Sequence, residues 1–112
     1  MCGVPYAAIP LASYISTQAM VPMIMLRKNK KTHGTQKCVE GFFSEGQRCV
    51  VVEDVVTSGN SLLWAVEQLR SKGLSVDHCV VLLCRDEKGR YHLENHGVEL
   101  YSIFEMSDFY DS

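Results

Sequence analysis

Two unbroken apolar runs, RCVVVE at 48–53 and HCVVLLC at 78–84, constrain this chain more than anything else in it. Runs of this kind, without polar alternation, mark strands covered on both faces, and such strands belong to parallel sheets wrapped in helices. Between them Leu62, Leu63, Val66 and Leu69 recur at helical spacing, and the segment closes with Arg70, Lys72 and a Gly73 stop. Strand, helix and strand joined by short links predict a right-handed βαβ unit. The expected fold is therefore α/β, a mostly parallel twisted sheet with flanking helices.

The remaining segments extend that sheet. Apolar spacing predicts a helix over 9–18, with Pro10 in its first turn, where a missing N–H costs nothing. PMIMLR at 22–27 reads as a short strand, and KCVEGFF at 37–43 as a weaker one. The turn at 44–47 suggests that 37–43 forms a hairpin with the next strand or lies close to it. VELYSI at 98–103 reads as a third strand buried on both faces. The 112 residues form one domain, 1–112, with no repeat or linker.

Composition narrows the setting. No apolar run approaches the ~18 residues of a membrane span, and no signal-peptide pattern opens the chain. Five cysteines, an odd number without a C-x-x-C pair, argue for buried free thiols in a reducing compartment. A cytoplasmic protein without membrane partners is expected. Charge is uneven: 27–37, RKNKKTHGTQK, holds five of the eleven basic residues and no acid, leaving six basic against thirteen acidic residues elsewhere.

In open α/β sheets the ligand crevice lies beyond the carboxyl ends of the strands. Glu53 and Asp54 are read as ending one strand there, Arg85 and Asp86 the next, and Arg27 an earlier one. After the paired acids, Val55 and Val56 lead into Thr57, Ser58, Gly59, Asn60 and Ser61, which have almost no bulk, and then into the helix. Backbone N–H groups at a helix N-terminus favour an anion, provided side chains leave it room. The loop reads as a monophosphate cradle; it is not a Walker loop, since no Gly-Lys-Ser/Thr follows. The two acids would repel that phosphate, so they should face hydroxyls or a hard cation such as Mg²⁺. A sugar 5-phosphate with a free diol satisfies both halves. The plainer alternative is that the acids merely end a strand and Ser58 or Asn60 merely caps a helix.

The stretch 49–61 resembles the PRPP signature of type I phosphoribosyltransferases at every position: apolar strand, Glu53-Asp54, two aliphatics, Thr57-Ser58-Gly59-x-Ser61. RKNKKTHG at 27–34 resembles the catalytic loop of the orotate members, with Arg27, Lys28, Lys31 and His33 in the matching places. CGVPYAAIPLA at 2–12, which contains Tyr6, looks like the family's pyrophosphate-side loop, and VVLLCRDEKG at 80–89 carries Arg85 where an orotate-binding arginine falls. The likeness is greatest to the domain found in eukaryotic UMP synthase and thins after about Tyr101.

What the resemblance implies is specific. Lys28, Lys31, His33 and Asp54 would be catalytic. Tyr6, Arg27, Glu53, Asp54 and the run Val55, Val56, Thr57, Ser58, Gly59, Asn60 and Ser61 would bind PRPP, and Thr57 and Arg85 would bind orotate. Mg²⁺ would be held mainly through PRPP near Glu53 and Asp54, with no direct protein ligand. A homodimer sharing its basic loop across subunits is implied as well. The family carries a segment before the Gly-Val-Pro-Tyr loop, with a lysine and aromatics that hood the base, so the chain reads as N-terminally truncated; Ala7 also stands where some members have a lysine. Alternatives stay open: a phosphoribosyltransferase for another base, a non-catalytic PRPP-binding module or truncated isoform, and, for 28–37 alone, a nucleic-acid patch. Nucleic acid is not expected as a partner, because no stacking aromatic lies between Arg27 and Gly41.

Overall fold

The computed structural model describes residues 1–28 and 38–110. A short strand β1 (Cys2–Gly3) leads to helix α1 (Ile9–Ala19), strand β2 (Ile24–Leu26) and strand β3 (Val39–Glu40). The long strand β4 (Arg48–Val56) is followed by α2 (Asn60–Ser71), β5 (Ser75–Cys84), α3 (Glu87–Glu94), β6 (Glu99–Glu105) and a final turn of helix, α4 (Ser107–Tyr110). The strands form one sheet in the order β3-β2-β1-β4-β5-β6. Every neighbouring pair is parallel except β2 with β3.

The order of the strands fixes the place of the crevice. From β1 the chain crosses to β2 on one side, whereas from β4 it crosses to β5 and β6 on the other. Right-handed crossovers running in opposite directions put α1 and α2 on opposite faces, and the switch falls between β1 and β4. Below that point the core is continuous: Val51, Cys79, Val81 and Leu100 of the sheet share a cluster with Leu62, Val66 and Leu69 of α2 and Leu93 of α3. Each such aliphatic is worth about 1.5–3 kcal/mol relative to exposure. The apolar stripe therefore holds α2 in place.

Four expectations need correction. The segment around Val39–Glu40 does not pair with β4; it joins β2 antiparallel at the sheet edge, Met25 opposite Glu40 and Leu26 opposite Val39. A short link shows only that two strands are near each other in sequence, and β4 already has β1 and β5 on its two sides. Glu53 and Asp54 do not end β4, which runs on to Val56, because β5 stays paired with it as far as Val56 opposite Cys84. The 98–103 run is not covered on both faces: β6 is the edge strand, with Leu100 buried while Tyr101 and Ile103 are about half exposed. β5 is likewise only half covered on one side, with His78 exposed and Val80 and Leu82 partly so.

Candidate active site

The two acids sit where β4 loses a neighbour. β1 is only two residues long, pairing Cys2 with Val51 and Gly3 with Val52, and Val4 N–H adds one more bond to the Val52 carbonyl at 2.9 Å. Just beyond it, the carboxyls turn back on their own strand: Asp54 N–H donates to Glu53 Oε1 at 2.9 Å and Val55 N–H to Asp54 Oδ1 at 2.7 Å. Glu53 is the one buried charged side chain among the described residues, 7% exposed. Burial, the hydrogen bond it shares with the Asp54 side chain and the charge of Asp54 raise its pKa to about 7, against opposing pulls from the Asp54 backbone N–H and, more weakly, Lys28. Asp54 moves the other way, held down chiefly by the same shared hydrogen bond. Near neutrality Glu53 is therefore only partly ionised beside a fully ionised Asp54, so the pair keeps a carboxyl able to donate in part of the population.

That inequality predicts a pH effect. An unfolded Glu53 loses its proton near 4.5 and the folded one near 7, so folding holds a proton that the unfolded chain has released. Stability from this group is complete below 4.5 and is lost as pH rises through 7, by on the order of 3 kcal/mol. Asp54 has the opposite sign and acts only at lower pH. Comparing denaturant midpoints of the native chain and Glu53→Gln from pH 4.5 to 7.5 checks this; parallel curves would exclude a raised Glu53.

The loop after β4 is open in the way an anion needs. α2 begins on Gly59, whose φ of 84° is left-handed and which has no side chain to cap the helix. Ser58 Oγ accepts only a long bond, 3.3 Å, from Asn60 N–H. The alternative in which Ser58 or Asn60 serves simply as a cap thus finds little support. Glu53 and residues 55–62 enclose a cavity of about 60 Å³, room for one small oxyanion at roughly 30 Å³ per displaced water. A larger depression of about 520 Å³ lies at the other end of the strands, by the beginnings of β5 and β6, but Asp77, Glu94 and Glu99 line it, the wrong charge for phosphates.

The other expected residues gather at the same rim. Tyr6, in the loop after β1, accepts Lys28 N–H at 3.2 Å and faces the Lys28 carbonyl at 3.5 Å, tying that loop to the end of β2. Arg27 pairs with Glu40 of β3 at 3.2 Å, both half exposed. Arg85 follows β5, exposed, and its N–H donates to the Val56 carbonyl at 2.8 Å, which joins the segment after β5 to the end of β4. Thr57, Ser58, Asn60 and Ser61 are exposed around the cavity. Lys31 and His33 lie outside the described residues.

Sequence reasoning missed α3, which backs the cradle. Asp86 is its N-cap, accepting Lys88 N–H at 2.9 Å, with Glu87 in the first turn and Leu93 fully buried. The cap and the leucine were visible in DEKGRYHLE, but Gly89 in so short a segment weakens any helical reading.

A loop of small residues opening a helix at the switch point of a mostly parallel sheet, beside a pair of carboxyls, places the ligand crevice of an open α/β domain here. The chain belongs to the phosphoribosyl transferase domain family, whose family model matches residues 1–109. It is 41% identical to uridine 5'-monophosphate synthase of Bos taurus over 107 residues, 96% of this chain and 22% of that protein. The crystal structure of orotate phosphoribosyltransferase from Aeropyrum pernix superposes with a TM-score of 0.85 at 36% identity, covering 96% of this chain and 60% of that one. Orotate phosphoribosyltransferase of Mycobacterium tuberculosis in complex with PRPP superposes at 0.65 with 29% identity, over 77% and 48% of the two chains. The chain thus spans less than two thirds of each of these proteins. No helix among the described residues is long and apolar enough to cross a membrane.

Proposed function

We propose that this chain carries the PRPP site of an orotate phosphoribosyltransferase, which moves the phosphoribosyl group of PRPP to orotate and yields orotidine 5'-monophosphate and pyrophosphate for UMP biosynthesis. The observation that carries the reading is the uncapped start of α2, opening on residues 57–61 beside Glu53 and Asp54. The choice of orotate rests on the pattern Arg27, Lys28, Lys31, His33 and on the names of the relatives.

In this reading the α2 N-terminus and residues 57–61 hold the 5-phosphate, and Glu53 and Asp54 hold the ribose hydroxyls, one carboxyl accepting and the protonated one able to donate. Thr57 and Arg85 hold the base. N1 of orotate gives up its proton to solvent and bonds to C1 of the ribose while the C1–O bond to pyrophosphate breaks, its electron pair leaving with the pyrophosphate. Charge builds on that oxygen, and a cation ~4 Å away is worth on the order of 4 kcal/mol at an effective dielectric of ~20, before desolvation. Lys28 and Lys31 supply cations, and His33 can donate a proton to the leaving group. Mg²⁺ suits the hard oxygen donors here and, when bound, would neutralise pyrophosphate charge. Glu53 and Asp54 offer only two carboxyls and belong to no three-donor cluster among the described residues, so most of its ligands would come from the substrate. A homodimer in the cytosol, sharing the basic loop between subunits, completes the proposal; the free cysteines agree with a reducing compartment.

The test is pyrophosphate release from PRPP with orotate, uracil and purine bases, on this chain and on a version extended at its N-terminus. Orotate-dependent release is expected, and Asp54→Asn should weaken PRPP–Mg²⁺ binding about tenfold, as loss of a charged hydrogen-bonding partner does. Turnover with a different base would redirect the assignment, and PRPP binding with no turnover in either form would make the chain a binding module. Unchanged PRPP affinity in Asp54→Asn would remove that carboxyl from the ribose.

A further inference from the structure

The phosphate loop leans on a residue that touches no part of the substrate in the reading above. Gly89 lies in the first half of α3 and is buried. A Cβ built there would come within 2.3 Å of the Thr57 carbonyl oxygen, 2.7 Å of Val56 Cγ1 and 3.2 Å of the Thr57 carbonyl carbon. The contact is mutual, because a Cβ on Gly59 would stand 3.1 Å from the Gly89 carbonyl oxygen and 3.5 Å from its Cα. Two backbones therefore meet through two missing side chains, one at the start of α3 and the other at the N-cap of α2. Glycine inside a helix is destabilising relative to alanine, more so in a helix of eight residues. The close approach is what alanine could not supply.

We infer that Gly89 is a positioning residue for the phosphate cradle, fixing the Thr57 carbonyl and the left-handed turn at Gly59 by direct backbone contact. This rests on the proposed PRPP site. The same segment also carries Arg85, whose N–H is bonded to Val56, so one contact sets the phosphate end of the substrate relative to the base end. Thr57 sits on both sides of that relation. A shift of its carbonyl moves the start of α2, where the 5-phosphate would be held, and leaves the loop at Tyr6 and Lys28, on the other side of β4, untouched.

The test separates those two ends. Binding of ribose 5-phosphate and of pyrophosphate is measured separately for the native chain, Gly89→Ala and Asp86→Ala. Gly89→Ala is expected to weaken ribose 5-phosphate binding about tenfold or more and to leave pyrophosphate binding within about twofold. Asp86→Ala removes the cap that holds the first turn of α3, at an exposed residue that does not line the cavity; it should weaken ribose 5-phosphate about threefold with the same selectivity. This second variant gives the answer even where Gly89→Ala does not fold. Equal losses of both ligands, or unchanged ribose 5-phosphate binding in the folded variants, would overturn the role of Gly89 alone. A native chain that binds neither ligand would overturn the phosphoribosyl reading and this inference with it.

Discussion

Lys31→Ala is expected to lower turnover about a hundredfold or more while PRPP affinity falls only a few fold. The asymmetry follows from when the charge appears. In the proposed reaction PRPP arrives with its phosphates already ionised, and any cation near them stabilises the bound ground state and the transition state alike. The bridging oxygen gains its charge only as the C1–O bond lengthens, so a cation placed for that oxygen acts on the barrier. Lys28 has other duties: its charge acts on Glu53, and Tyr6 bonds its backbone. Its replacement should divide the loss between affinity and turnover. Steady-state kinetics paired with equilibrium PRPP binding read the two quantities apart. Equal losses for Lys31→Ala would make it a ground-state contact and shift the catalytic burden to other groups.

How much of this was legible beforehand differs from element to element. β4, α2 and β5 were plain because their patterns are strong and local: a β-branched run, a stripe at helical spacing, then a second run. The loop between β4 and α2 was legible for the same reason, since a run of small residues between a strand and a helix marks a tight connection. β1, two residues long, was not, because what makes it a strand is pairing with distant partners, Cys2 with Ile24 and Val51; β3 was legible as a strand within 37–43, but its pairing with β2, Val39 with Leu26, was not. Nothing in 37–47 tells which strand's edge is free. The reading of β6 failed through position: its apolar content suits a central strand, yet the sheet ends there and leaves Tyr101 and Ile103 half uncovered. The unequal carboxyls were also out of reach, since adjacency in sequence does not reveal that Glu53 is buried and Asp54 is not.

The second large effect is one of stability, at Leu93. Its side chain is fully buried in the common cluster, and a Cβ on Gly59 would lie 3.5 Å from Leu93 Cγ, so the leucine fills the space directly beneath the start of α2. Leu93→Ala should cost about 2–5 kcal/mol, the removed methyl groups plus the cavity they leave. Against a total of roughly 5–15 kcal/mol for a domain, that is a large share. Tyr91→Ala, exposed on the same helix, should stay within about 0.5 kcal/mol. Leu69→Ala is the sharper comparison, because Leu69 is equally buried but near the far end of α2. The two leucine variants should unfold at similar denaturant concentrations. Measured well below those midpoints, only Leu93→Ala should also weaken ribose 5-phosphate binding, since the cavity it opens lies under the turn that would hold the phosphate. If both weaken binding equally, the cradle draws its shape from the core as a whole; if Leu93→Ala alone does so, that shape is set locally, where α3 meets the loop.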